Sequence, residues 1–154
     1  MEDAESHSLR GAIDAGALGD FRAEFERLEP LANGSLDDVV SPSDLRLQLD
    51  DGIGEATTAT ITVRWSVRDD YNVHYSDDTG RNLRWDVHPH EYTNPVGDGH
   101  YHPPPNASSD DDDVEASCIG VTELVLVGRA VHQLWRTGYD NGSVDPLNDA
   151  INPP

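Results

Sequence analysis

Two His-x-His pairs stand within fifteen residues of each other: His88-Pro89-His90 and His100-Tyr101-His102. They hold four of the chain's seven histidines. Histidine trades protons near neutral pH more readily than any other side chain and is the commonest metal ligand. The first pair directly follows Arg84-Trp85-Asp86, and the second directly precedes Pro103-Pro104-Pro105. Three chemistries fit this cluster. Imidazoles two apart on an extended chain can hold one ion, so His88, His90, His100 and His102 form a ligand set for a divalent transition metal such as zinc. A cofactor-free site is the second: Asp86 orients a histidine that works as acid or base, and Arg64, Arg68 or Arg84 holds an anionic oxygen. The third is structural, with imidazoles packed against proline and tyrosine in an ordered loop.

Positioning these groups falls to a run of alternating segments. Ala59, Ile61, Val63, Trp65 and Val67 alternate with polar residues, which is the period of a half-buried strand. Asp69-Asp70 turns the chain into Tyr71, Val73 and Tyr75, and Asp77-Asp78-Thr79-Gly80 turns it again into Leu83, Trp85 and Val87. If Trp85 faces the core, Arg84, Asp86 and His88 project together from the opposite face. His90 joins them if the extended backbone persists through Pro89. Leu45, Leu47 and Leu49 mark a further strand. Leu18, Phe21, Phe25 and Leu28 recur at helical spacing, and Asn33-Gly34-Ser35 reads as the stop signal. A second apolar stripe, from Val121 to about Tyr139, predicts a long C-terminal helix with Thr122 as its cap. His132 falls on that stripe and reads as core or boundary, while the isolated His7 carries no signal.

The expected fold is α+β: an antiparallel meander of about four to five strands, with an N-terminal and a long C-terminal helix on one face. One domain spans residues 17–137, after a flexible lead-in at 1–16 and before a flexible tail at 138–154. Residues 88–105 read as a His-rich loop and 106–113 as an acidic one, ending in four consecutive aspartates.

The chain has thirty Asp and Glu against ten basic residues, for a net charge of −20, and every basic residue is Arg. Such an acid excess predicts a surface adapted to a salt-rich cytoplasm. Near molar salt the Debye length is about 3 Å, so net charge neither steers nor repels partners at distance. Residues 60–105 hold five of the seven histidines and a net charge of only −3, the least acidic stretch of the chain. The lone Cys118 excludes an internal disulfide and a cysteine-based zinc site, and reads as a small core residue. No apolar run approaches a membrane span and the acidic start is unlike an export signal, so the expected location is the cytoplasm.

The motif order in residues 83–102 resembles the TumE-like toxins of type II toxin–antitoxin modules. The shared features are a strand ending Leu83-Arg84-Trp85-Asp86, then His88-Pro89-His90, His100-Tyr101-His102, a polar insert and a long helix. The resemblance extends over about residues 58–137, and Val87 stands where the family usually shows Asn. It implies a small α+β protein acting on RNA or the ribosome, partnered by a helix-turn-helix antitoxin. By motif position it implies Arg84, Asp86, His88, His90, His100 and His102 as the catalytic set. The leading expectation is a metal-independent, ribonuclease-like activity without a cofactor. The alternative is a non-catalytic metal- or ligand-binding module built on the two His-x-His pairs.

Overall fold

A computed structural model describes residues 9–93 and 95–149. The ends of the expected lead-in and tail, and His7, lie outside the described residues. Helix α1 (Ala15–Leu28) begins where the Asp14 carboxylate accepts a hydrogen bond from the Ala17 amide at 3.0 Å, satisfying one of the helix's first donors. Its apolar positions, three and four apart, bury Ala17, Leu18, Phe21 and Phe25 on one side. The chain leaves the helix through Glu29-Pro30.

Seven strands follow, each pairing antiparallel with the next: β1 (Ala32–Leu36), β2 (Leu45–Leu49), β3 (Ala59–Trp65), β4 (Tyr71–Asp77), β5 (Asn82–Val87), β6 (Gly99–His102) and β7 (Glu115–Ala116). The inward residues of β2 to β6 form a continuous apolar layer that includes Leu47, Val63, Val73, Trp85 and Tyr101. Helix α2 (Leu124–Asn141) and α1 cover that layer, and α2 buries Val127, Ala130, Val131, Leu134 and Trp135 in the same cluster. Helices therefore occupy one face of the sheet, as the sequence predicts.

The strand count of four to five is corrected to seven. β1 carries Asn33-Gly34-Ser35, which reads as a helix stop. The glycine serves an edge strand that passes close to α1: a Cβ on Gly34 would meet the Arg22 side chain at 2.8 Å, and the Gly34 amide donates to Glu26 at 2.7 Å. β6 lies in the stretch read as loop, and β7 just beyond its end. They are held by ladder bonds to their neighbours rather than by an apolar alternation of their own.

The first predicted strand ends at Trp65, not Val67. Asp69 adopts a left-handed φ of 64° in the turn that follows, and Val67 and Arg68 are exposed there. Helix α2 starts after Glu123 rather than Thr122 and runs to Asn141. Gly142, with φ 69°, caps it in the left-handed conformation that ends many helices. A 3-10 helix (Asp145–Asn148) then folds back and buries Leu147 against Gly138, where a Cβ would come within 2.4 Å of it. At the other end, the Arg10 amide donates to Asp70 at 2.7 Å and the Asp14 amide to the Trp65 carbonyl at 2.8 Å.

Candidate metal centre

Trp85 is fully buried in the helix-covered layer, so its neighbours Arg84 and Asp86 emerge on the open face of the sheet. Strand pairing sets His102 opposite Arg84 and His100 opposite Asp86. On the other side, His74 of β4 stands opposite Arg84, and Asn72 opposite Asp86. The two His-x-His pairs thus meet across one ladder. His88 follows β5 directly and turns back over the same spot. Asp86, His88, His100 and His102 are all completely buried.

A single oxygen organises the cluster. Asp86 Oδ2 lies 3.1 Å from His102 Nε2, 3.3 Å from His88 Nε2 and 3.6 Å from His100 Nε2, and it accepts a hydrogen bond from Arg84 Nε at 2.9 Å. The opposite nitrogens each face a backbone carbonyl at 2.9 Å: His88 Nδ1 that of Pro89, His100 Nδ1 that of Asp98, and His102 Nδ1 that of Ser108. A carbonyl only accepts, so each Nδ1 carries its proton, and a neutral ring then turns an Nε2 lone pair toward the carboxylate. Carbonyl partners of this kind fix the tautomer and ring orientation of metal-ligating histidines. Burial pushes the His100 pKa down to about 3, against the pull of Asp86, and so favours the neutral ring. At His88 burial also disfavours the charge, but the bonds to Asp86 and the Pro89 carbonyl outweigh it and the pKa is raised.

The donor atoms of Asp86, His100 and His102 lie within 4.8 Å of one another, all buried. Tetrahedral ligands at zinc distances of about 2.0–2.1 Å stand roughly 3.3–3.4 Å apart. The distances from Asp86 Oδ2 to His100 and His102 bracket that spacing. The buried His100 Nε2 makes no hydrogen bond, as a metal-facing donor would. Two imidazoles and a carboxylate suit a divalent transition metal such as zinc. This donor set overturns the expectation of a cofactor-free site.

The remaining predicted residues divide. His90 lies against His100, with ring centroids 4.6 Å apart, but both its nitrogens are engaged elsewhere: Nε2 at 2.6 Å from the Gly97 carbonyl and Nδ1 accepting from the Tyr92 amide at 3.0 Å. Its ring packs on the cluster without pointing a donor into it. Tyr92 covers His100 and His102 at 5.6 and 5.7 Å between centroids. Arg64 lies two strands away, 3.5 Å from Asp44, and Arg68 sits in the exposed turn before β4. His132 bonds the buried Glu29 at 3.2 Å and meets Phe25 edge-on, a boundary residue tying α1 to α2. Cys118 is half-buried beside the apolar cluster. Sequence reading did not find the Asp98 and Ser108 carbonyls or Tyr92. Carbonyls belong to every residue, so only the fold reveals which of them matter.

Fold and site together define a class: a small α+β protein with a buried His/Asp centre on the open face of an antiparallel sheet. A family model described as Toxin TumE matches residues 22–141, from within α1 to the end of α2. The chain belongs to the TumE toxin family. The match reaches well beyond residues 58–137, taking in β1, β2 and part of α1. No curated protein and no solved structure matches the chain. Among the described residues, no helix is long and apolar enough to cross a membrane.

Proposed function

We propose that this TumE-family protein works through a divalent metal, zinc in the first instance, held by Asp86, His100 and His102. One observation carries the reading. Three imidazoles are locked by backbone carbonyls so that every Nε2 turns toward the same carboxylate oxygen. The Nε2 lone pairs that His100 and His102 aim at that anion are unfavourable unless a cation lies between them and it, whereas His88, with its raised pKa, bonds the oxygen itself. His88 steadies Asp86 from the side, and Arg84 neutralises part of its charge. A bound zinc would supply Lewis acidity and lower the pKa of a bound water. This supports a metal-dependent, ribonuclease-like toxin directed at RNA or the ribosome, paired with an antitoxin as its family context suggests.

The test uses the full chain purified without a histidine tag. Elemental analysis after zinc loading and desalting should give about one zinc per chain, and the His100→Ala/His102→Ala double variant should retain none. Induced expression of the wild type should arrest growth, and the double variant should not. Equal zinc content in the two proteins would refute the metal centre; equal growth would refute the toxin activity assigned to it.

A further inference from the structure

Beside the metal centre, the open sheet face carries a cleft of about 540 Å³ whose walls include Arg64, Arg84, Asn72 and His74 together with the carboxylates of Asp37 and Asp44. Arg84 belongs to both features. Its Nε donates to Asp86 Oδ2 at 2.9 Å, while its side chain, 17% exposed, forms part of the cleft wall. We infer that Arg84 couples the two: filling the metal centre releases its guanidinium from Asp86 into the cleft, where it and Arg64 bind a tetrahedral oxyanion.

Charge drives the exchange. Without metal, the guanidinium is the cation resting on the Asp86 oxygen that faces the imidazoles. A divalent ion taking that oxygen withdraws its negative charge and sets a like charge close to the guanidinium. With its side chain only 17% exposed, the repulsion would be poorly screened and would favour an outward swing of Arg84 into the cleft. In the cleft, Asp37 already accepts from the Ser43 and Asp44 amides, and Asp44 is paired with Arg64. Arg64 is about half exposed and held to Asp44 only loosely, at 3.5 Å. Thr62 and Asn72 add hydroxyl and amide groups. A guanidinium's planar fork matches two oxygens of a sulfate or phosphate group. His74 contributes no charge, because burial lowers its pKa. The inference rests on the metal reading above and adds to it a ligand class and a dependence of one site on the other.

Linkage makes the idea measurable, since two coupled ligands must change each other's affinity by the same factor. Zinc affinity of the full chain would be measured by calorimetry at constant ionic strength, alone, with sulfate and with dimethyl phosphate. Sulfate represents a free tetrahedral anion, and dimethyl phosphate the linkage of a nucleic acid backbone. Either anion should tighten zinc binding by about fivefold or more, and zinc should tighten that anion equally. The anion with the larger factor identifies the source of the ligand. Arg84→Gln should bind zinc more tightly than wild type without anion and lose the coupling. Arg64→Gln should keep the anion-free zinc affinity and bind the anion more weakly. Absence of coupling in the wild type overturns the inference even if no variant folds, as does an Arg84→Gln protein with wild-type melting and unchanged or weaker zinc affinity. Failure of zinc to bind at all is a different result, and removes the metal reading itself.

Discussion

Asp86→Ala should abolish zinc binding and, in metal-free protein, cost about 3–5 kcal/mol of stability, the usual cost of removing one partner of a buried charge pair. Asp86 is completely buried, and its Oδ2 accepts from Arg84 Nε and lies within 3.6 Å of three imidazole nitrogens. Without the carboxylate, the guanidinium keeps its charge, with a side chain only 17% exposed, and loses the anion that compensates it. Asp86→Asn preserves shape and one acceptor oxygen, so it should lose most of the zinc affinity but less of the stability. Urea unfolding with chelator present, paired with zinc titration, separates the two effects. An Asp86→Ala midpoint indistinguishable from wild type would show that the cluster is not organised by this carboxylate.

Trp85→Ala should be as damaging for the opposite reason, at about 3–5 kcal/mol. The indole is fully buried in the central layer, 5.9 Å from the Tyr101 ring, on the strand that carries Arg84 and Asp86. The remaining cavity would lie directly behind the metal centre, so zinc affinity should fall along with stability. Trp85→Phe is the informative control. The Trp85 Nε1 is buried without a hydrogen-bond partner, so phenylalanine forfeits volume but no bond. It should cost well under half as much as alanine in the same unfolding experiment. Similar costs for the two would mean that the indole's polar edge, rather than its bulk, matters at this position.

The half of the site on β5 was legible in sequence because alternation there is unbroken. Leu83, Trp85 and Val87 facing in force Arg84 and Asp86 to face out together. The half on β6 was visible as residue types and invisible as placement. Gly97, Gly99 and the three prolines after His102 mask a four-residue strand, and nothing local states that it will pair with β5 in the register that sets His100 against Asp86. His90 fails as a donor because the strand ends at Val87 and the chain bends at His88. It bends so that both ring nitrogens meet backbone at Gly97 and Tyr92. β1 was misread for a related reason, since a glycine chosen to pass close to Arg22 carries the same letter as one chosen to end a helix. Helix positions and sheet direction come through local periodicity, whereas the carbonyls that aim the imidazoles are a product of tertiary structure.

The central claim concerns which nitrogen of each ring carries the proton, and long-range proton–nitrogen spectra of isotope-labelled imidazoles report that directly. Before metal is added, His100 and His102 should both carry their proton on Nδ1. As zinc is added, their Nε2 resonances should shift together and saturate at a single equivalent, with Nδ1 still protonated. Rings protonated on Nε2, or Nε2 resonances unmoved at saturating zinc, would contradict the account.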